Sequence, residues 1–412
     1  MRGNNELIRS QTGSTENTRV NVDFSDERDQ FNLYYWHISV VFRVLSFVLF
    51  AAFLMYIIIT AYKNADQFSY ENFEYIIRNF SLTLEENRDD SVYSIEYNPD
   101  ANRSYSLFGK GLAVCGNSGI SIFSATGRLT CSESFMYKDP KLVSSTKFAL
   151  VYDHSDDDYS IYNAFSRVYS DRTDGIIRGA AVADNGTYAL IVSSDSFNTS
   201  VELYDDSFSL INRINKLSYV IDIDINNNYL LIASVSVSEG NAFASEVQVF
   251  DYIEQSEVFR ATSDNNFPLG CAISEGGYVL VGNNNTVVFG YDGDIISSYD
   301  HNGNAPCDFS FNRGETVLLF KNSGFDLNYN AVVLDANGAV EFMTAITSVI
   351  YDIDVYNGKM FYLTDGSLKV TDGARVYEFS VEDIKSGTEI LSFGDGRAYV
   401  CTDTSAPMFV LP

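Results

Sequence analysis

Residues 179–192 read GAAVADNGTYALIV, an apolar strand, a tight Asn-Gly turn and a second apolar strand. Asn-Gly supplies the positive φ that a two-residue hairpin turn demands, so this stretch is a β-hairpin. The same element returns as IDIDINNNYLLIAS at 221–234, GCAISEGGYVLVG at 270–282, CDFSFNRGETVLLF at 307–320 and YDIDVYNGKMFYLT at 351–364. Aligning the last apolar residue before each turn gives Val182, Ile225, Ile273, Phe311 and Val355, in steps of 43, 48, 38 and 44. The period is about 43, and a fixed period of roughly 20 to 50 residues means stacked units.

A second series runs in phase with the first. Downstream of each hairpin an Asp marks a turn, at 205, 251, 292, 335 and 372, in steps of 46, 41, 43 and 37. Each is read as the turn between a third and a fourth strand, because Asp beside Gly or Asn is ordinary turn chemistry, which outweighs a cation-ligand reading. Four short antiparallel strands per roughly 40 residues, in series, describe a β-propeller blade. Upstream, 106–129 and 147–170 fit as two more blades, while the tail 388–411 holds three strands and needs a fourth. The strand SVYSIEY at 91–97 has no blade of its own and is expected to complete that last sheet, closing the ring. Residues 91–412 are therefore expected to form an all-β domain, an eight-bladed β-propeller with seven blades as the alternative.

Before the repeats, residues 38–62 read ISVVFRVLSFVLFAAFLMYIIITAY, with Arg43 as the only charge. A helix needs about 20 apolar residues to cross the hydrocarbon core, so this run is expected to be one transmembrane α-helix. It is too long for a cleaved signal peptide, whose apolar core is about 7 to 15 residues. Tyr34, Tyr35 and Trp36 form an aromatic belt at one end, with Tyr62 and Lys63 at the other. Arg28 and Arg43 outweigh Lys63 near the span, which favours a cytoplasmic amino terminus and an extracytoplasmic propeller at the cell membrane. Residues 1–37 read as a disordered polar tail and 63–90 as a stalk, where Tyr70, Phe73, Ile76, Ile77 and Phe80 fall at helical spacing.

Composition agrees with a folding chain, 46% hydrophobic and 14% aromatic with 20% charged. The net charge of −28 argues against a nucleic-acid partner or broad attraction to anionic lipid.

An anchor, a short stalk and repeats of strand, Gly turn and a YDGD-type turn (291–294) together resemble a known pattern. It is that of the uncharacterised single-pass membrane-anchored propellers of Gram-positive anaerobic bacteria, a family known as a domain of unknown function. The resemblance implies a bacterial cell-surface protein and no activity. More distantly, YDGD and LDANG (334–338) are similar in style to quinoprotein-like and WD-like propellers. The only tryptophan is Trp36 and no Trp-Asp dipeptide occurs, so the docking tryptophan of the former and the signature of the latter are missing.

The residues that carry chemistry are sparse. His37, His154 and His301 show no metal-site spacing, and no cofactor or catalytic residue is expected. Among five cysteines, Cys115 and Cys131 are the one pair close enough in sequence to bridge within a blade, with buried free thiols as the simpler reading. Asp153, Asp156, Asp157 and Asp158 lack the order of a calcium loop and read as a solvated hairpin tip. Asp222, Asp308 and Asp352 each stand three residues before the aligned apolar position of the innermost strand. They are the candidate channel-facing carboxylates, placed either to meet a cation or basic ligand or to bond backbone amides between blades. The expected function is binding or scaffolding, with a protein, peptide or cell-envelope polymer as partner. A sensor signalling through the helix, or a propeller-based hydrolase or lyase, is the alternative.

Overall fold

Runs such as YALIV at 188–192 are apolar at every position, which a half-buried strand would not need. The computed structural model explains them. It describes residues 36, 38–51, 53–55, 93–98, 100–237, 243–322, 327–385, 387–394 and 396–410. Among these, eight four-stranded antiparallel sheets stand in series. Successive sheets, here called blades 1 to 8, span 104–134, 140–172, 177–216, 219–264, 268–300, 308–346, 352–380 and 389–410. The fold is all-β and the ring has eight blades, not seven.

Each middle strand sends alternate side chains to opposite faces, and each face meets a different neighbour. In blade 2, Ala149 and Val151 join a buried cluster with Cys115, Ile120 and Ile122 of blade 1. Leu150 and Tyr152 join another with Tyr188 and Leu190 of blade 3. Every one of the eight interfaces holds such a cluster, the last joining Tyr399 and Met408 of blade 8 to Leu112 and Val114 of blade 1. The outermost strands return to alternation, as in Val376–Ser380, where every second residue is exposed.

The aligned Asp residues sit where the repeat predicts. Asp205 Oδ1 accepts from the Ser207 and Ser209 amides, Asp335 Oδ1 from Asn337 and Ala339, and Asp372 Oδ1 from Ala374 and Arg375. They hold turns.

Blade 8 is built from both ends of the domain. Strand Ser94–Glu96 pairs antiparallel with Ser405–Val410, which pairs in turn with Arg397–Cys401. Tyr93 and Tyr97 fasten it: the Tyr93 hydroxyl reaches Ala125 O and Tyr399 Oη, and Tyr97 Oη donates to Thr402 O and Ser405 O at 2.8 Å.

A separate unit holds an exposed helix over Ile38–Met55, 18 residues and about 27 Å at 1.5 Å per residue, apolar enough to cross a membrane. The rest of the expected span, the stalk at 63–90 and the tail at 1–35 lie outside the described residues.

Cys115 and Cys131 are both free. They lie on the second and fourth strands of blade 1, with Gly119–Phe123 between them. Two strand spacings are about 9.6 Å, beyond the roughly 7 Å that a disulfide spans between Cα atoms.

Candidate functional site

The innermost strand of each blade pairs on one side only, so every second N–H on its inner edge is left without a strand partner. In this chain side chains of the preceding blade meet that need. Asp222 Oδ2 accepts from Cys271 N at 2.8 Å and Asp224 Oδ2 from Ile273 N at 2.7 Å, clasping blade 4 to blade 5. Asp352 Oδ2 accepts from Ile390 N at 2.6 Å and Asp354 Oδ2 from Ser392 N at 2.7 Å, clasping blade 7 to blade 8. Blade 1 uses serine, with Ser104 Oγ accepting from Leu142 N at 3.1 Å.

Asp308 occupies the same strand position in blade 6 but its Oδ1 accepts from Phe309 N of its own strand. The reach to blade 7 comes from Ser310, whose hydroxyl donates to Asp354 Oδ1 at 2.8 Å. Asn312 Nδ2 then passes blade 7 and donates to Ser392 O at 2.9 Å.

Asp222, Asp224, Asp308 and Asp352 are half-buried and Asp354 is buried. Burial pushes Asp222 up to about 7, against the pull of the Cys271 amide and with the Asp224 charge adding to the rise. Burial also raises Asp352, Asp308, Asp224 and Asp354, and pushes Glu389 up to about 7. Asp352 feels Asp308 and Glu389, so three adjacent innermost strands contribute like charges that hinder one another's ionisation. The pairing of Asp222 with Asp224 and of Asp352 with Asp354 was written in the repeated IDID and YDID, whose second Asp the repeat alignment passed over.

The other expected residues lie elsewhere. His154 is in a turn of blade 2, and His301 is buried at the end of blade 5, its Nε2 2.9 Å from Thr286 Oγ1 and its pKa lowered by burial. Asp153 accepts from the amides of Lys138, Asp139 and Ser155, while Asp156 pairs with Lys138 and Asp158 with Arg172. Among the described residues no cluster of His, Cys, Asp and Glu has metal-binding geometry.

Where the innermost strands end, the channel opens into a cavity of about 460 Å³. Seven blades line it, all but blade 5, through residues such as Thr146, Asp184, Asn226, Asn227, Arg313 and Tyr356. Sequence reasoning missed this mouth, because it is assembled from the inner turns of blades far apart along the chain.

None of the curated proteins compared matches the chain. Solved structures resemble its fold at low identity. The computationally designed Ika8 protein superposes with a TM-score of 0.58 and 12% identity, covering 77% of this chain and 98% of its own. BamB from Moraxella catarrhalis gives 0.54 and 10%, covering 78% and 97%. The C-terminal WD40 domain of Sif2 gives 0.55 and 9%, covering 78% and 98%. At such identities the likeness is of fold alone. A family model matches residues 86–406, all of the ring but the end of its closing strand, and by that match the chain belongs to the family of unknown function DUF5711.

Proposed function

We propose that this chain is a single-pass membrane protein whose extracytoplasmic propeller is a binding or scaffolding module. Its amino terminus lies in the cytoplasm, and its partner is a protein, a peptide or a cell-envelope polymer. The observation that carries the reading is the mouth cavity, to which seven blades of a rigid ring contribute. Loops held by such a scaffold are suited to recognition. A binding role is favoured over an enzymatic one because Asp222 and Asp352 are engaged by backbone amides, and His154 and His301 are not in the mouth lining. The apolar helix supports anchoring.

The test is photo-crosslinking in source membranes from residues placed at Asn226 and Asn227. The expected outcome is one recurrent protein or polymer adduct from these positions and none from the outer-strand position Ser380. Adducts that never recur, together with melting shifts caused by small metabolites, would sink the reading.

A further inference from the structure

The chain carries 27 Lys and Arg against 55 Asp and Glu, but the inner turns depart from that ratio. Lys110, Lys147, Arg313, Lys359 and Arg397 stand at or beside the inner turns of blades 1, 2, 6, 7 and 8. Among the described residues the acids of the same turns are Asp184, Glu275 and Glu315, so these turns are not acidic where the chain is two to one acidic. Two of those acids are engaged locally: Asp184 Oδ1 accepts from Thr146 N at 2.7 Å, and Glu315 Oε1 from Gly358 N at 2.7 Å.

Among the described residues Arg313 is the one cation in the cavity lining, which also includes Asp184 and Asp224 on other blades. Asp224 is already held by the Ile273 and Ile225 amides. The Arg313 guanidinium lies 5.5 Å from the centroid of the Tyr356 ring. Its backbone has φ 49°, in the left-handed region where the matching turns of blades 1 and 7 use Gly109 and Asn357. A long side chain in that conformation is strained, and such strain gathers at ligand sites. Here it sets a guanidinium against an aromatic face in a cavity whose wall also carries the Asn226 and Asn227 carboxamides, groups with N–H donors suited to an oxyanion.

We infer that the mouth binds an oxyanion, a carboxylate or phosphate group of an extended polymer, with Arg313 as its anchor. The inference rests on the binding-module reading and names the chemistry of its partner. A guanidinium fork matches either oxyanion with two parallel hydrogen bonds, which an ammonium cannot do. The acidic surface elsewhere repels a polyanion, so attraction is confined to the mouth and is sensitive to salt.

The experiment uses the full chain in nanodiscs of zwitterionic lipid, titrated with fluorescent short poly-glutamate, short polyphosphate and neutral dextran. Saturable binding of either polyanion, weakened by salt, is expected, and which one binds identifies the carboxylate or the phosphate source. Arg313→Gly relieves the left-handed strain, so its melting temperature should match or exceed that of the parent. Its affinity for the polyanion should fall about tenfold or more, the loss of one charge-assisted contact. Equal affinity in a folded Arg313→Gly protein, dextran binding as well as the polyanions, or no polyanion binding at all overturns the inference. A partner crosslinked from Asn226 that Arg313→Gly still captures would overturn it while leaving the binding-module reading intact.

Discussion

At the residue scale, Asp222 performs a task that an edge strand creates: it supplies an acceptor to the Cys271 amide across a blade boundary. Removing that acceptor leaves a donor facing the channel. Asp222→Ala should therefore destabilise the propeller by about 1–3 kcal/mol, nearer the lower value because channel water can substitute in part. Asp222→Asn keeps an oxygen for the amide and removes the charge. The Asp222 pKa is raised from the ordinary carboxylate range to about 7, so ionisation is less favourable in the fold than in the unfolded chain. Its contribution to stability is full below about pH 4 and is lost as pH rises toward about 7. Thermal melts should then show Asp222→Asn gaining on the parent between those limits, with the difference level above them. Asp222→Asn losing ground to the parent as pH rises between those limits would refute the assignment.

At the element scale, the hairpin turns were legible because their residues are local. Asn357 and Gly358 have φ 52° and 67°, and the Asp turns hold their own amides, all without reference to the rest of the fold. Closure is different in kind. Ser405–Val410 lies between Arg397–Cys401 and Ser94–Glu96, so one C-terminal strand holds the first strand of the domain in the ring. Deleting residues 405–412 removes Ala406 and Met408 from the cluster shared by blades 8 and 1 and leaves Ser94–Glu96 without its partner. The truncated chain should lose the cooperative melt of the whole propeller. Retention of that transition within a few degrees would show that the ring does not depend on its closing strand.

At the scale of the whole molecule, eight interfaces each with its own apolar cluster explain how the chain can be so apolar, since both faces of every sheet are buried against a neighbour. The same burial sorts the cysteines. Cys115, Cys131, Cys271 and Cys401 are buried and Cys307 is exposed. Burial pushes the Cys115 thiol up to about 12 and Cys131 to about 11. Cys307 is thus the reporter of topology. Burial raises the Cys307 thiol as well, so a membrane-impermeant maleimide added in excess to intact cells on the alkaline side of neutrality should label the parent, slowly, and not Cys307→Ser. Labelling that requires lysis would place the propeller in the cytoplasm.

The sequence by itself determined the strands, their turns and the repeat, because hairpin chemistry acts over a few residues and then recurs, and the count of strands left one at each end of the domain to close the ring. It also marked Asp222, Asp308 and Asp352 as equivalent positions. Only the tertiary structure decided that Asp222 and Asp352 each reach the next blade while Asp308 turns to its own strand. It alone brought Arg313, Asn226 and Thr146 to one cavity. The physical reason is distance along the chain: a turn is set by neighbours, whereas a channel mouth is set by where eight separate sheets come to rest around one axis.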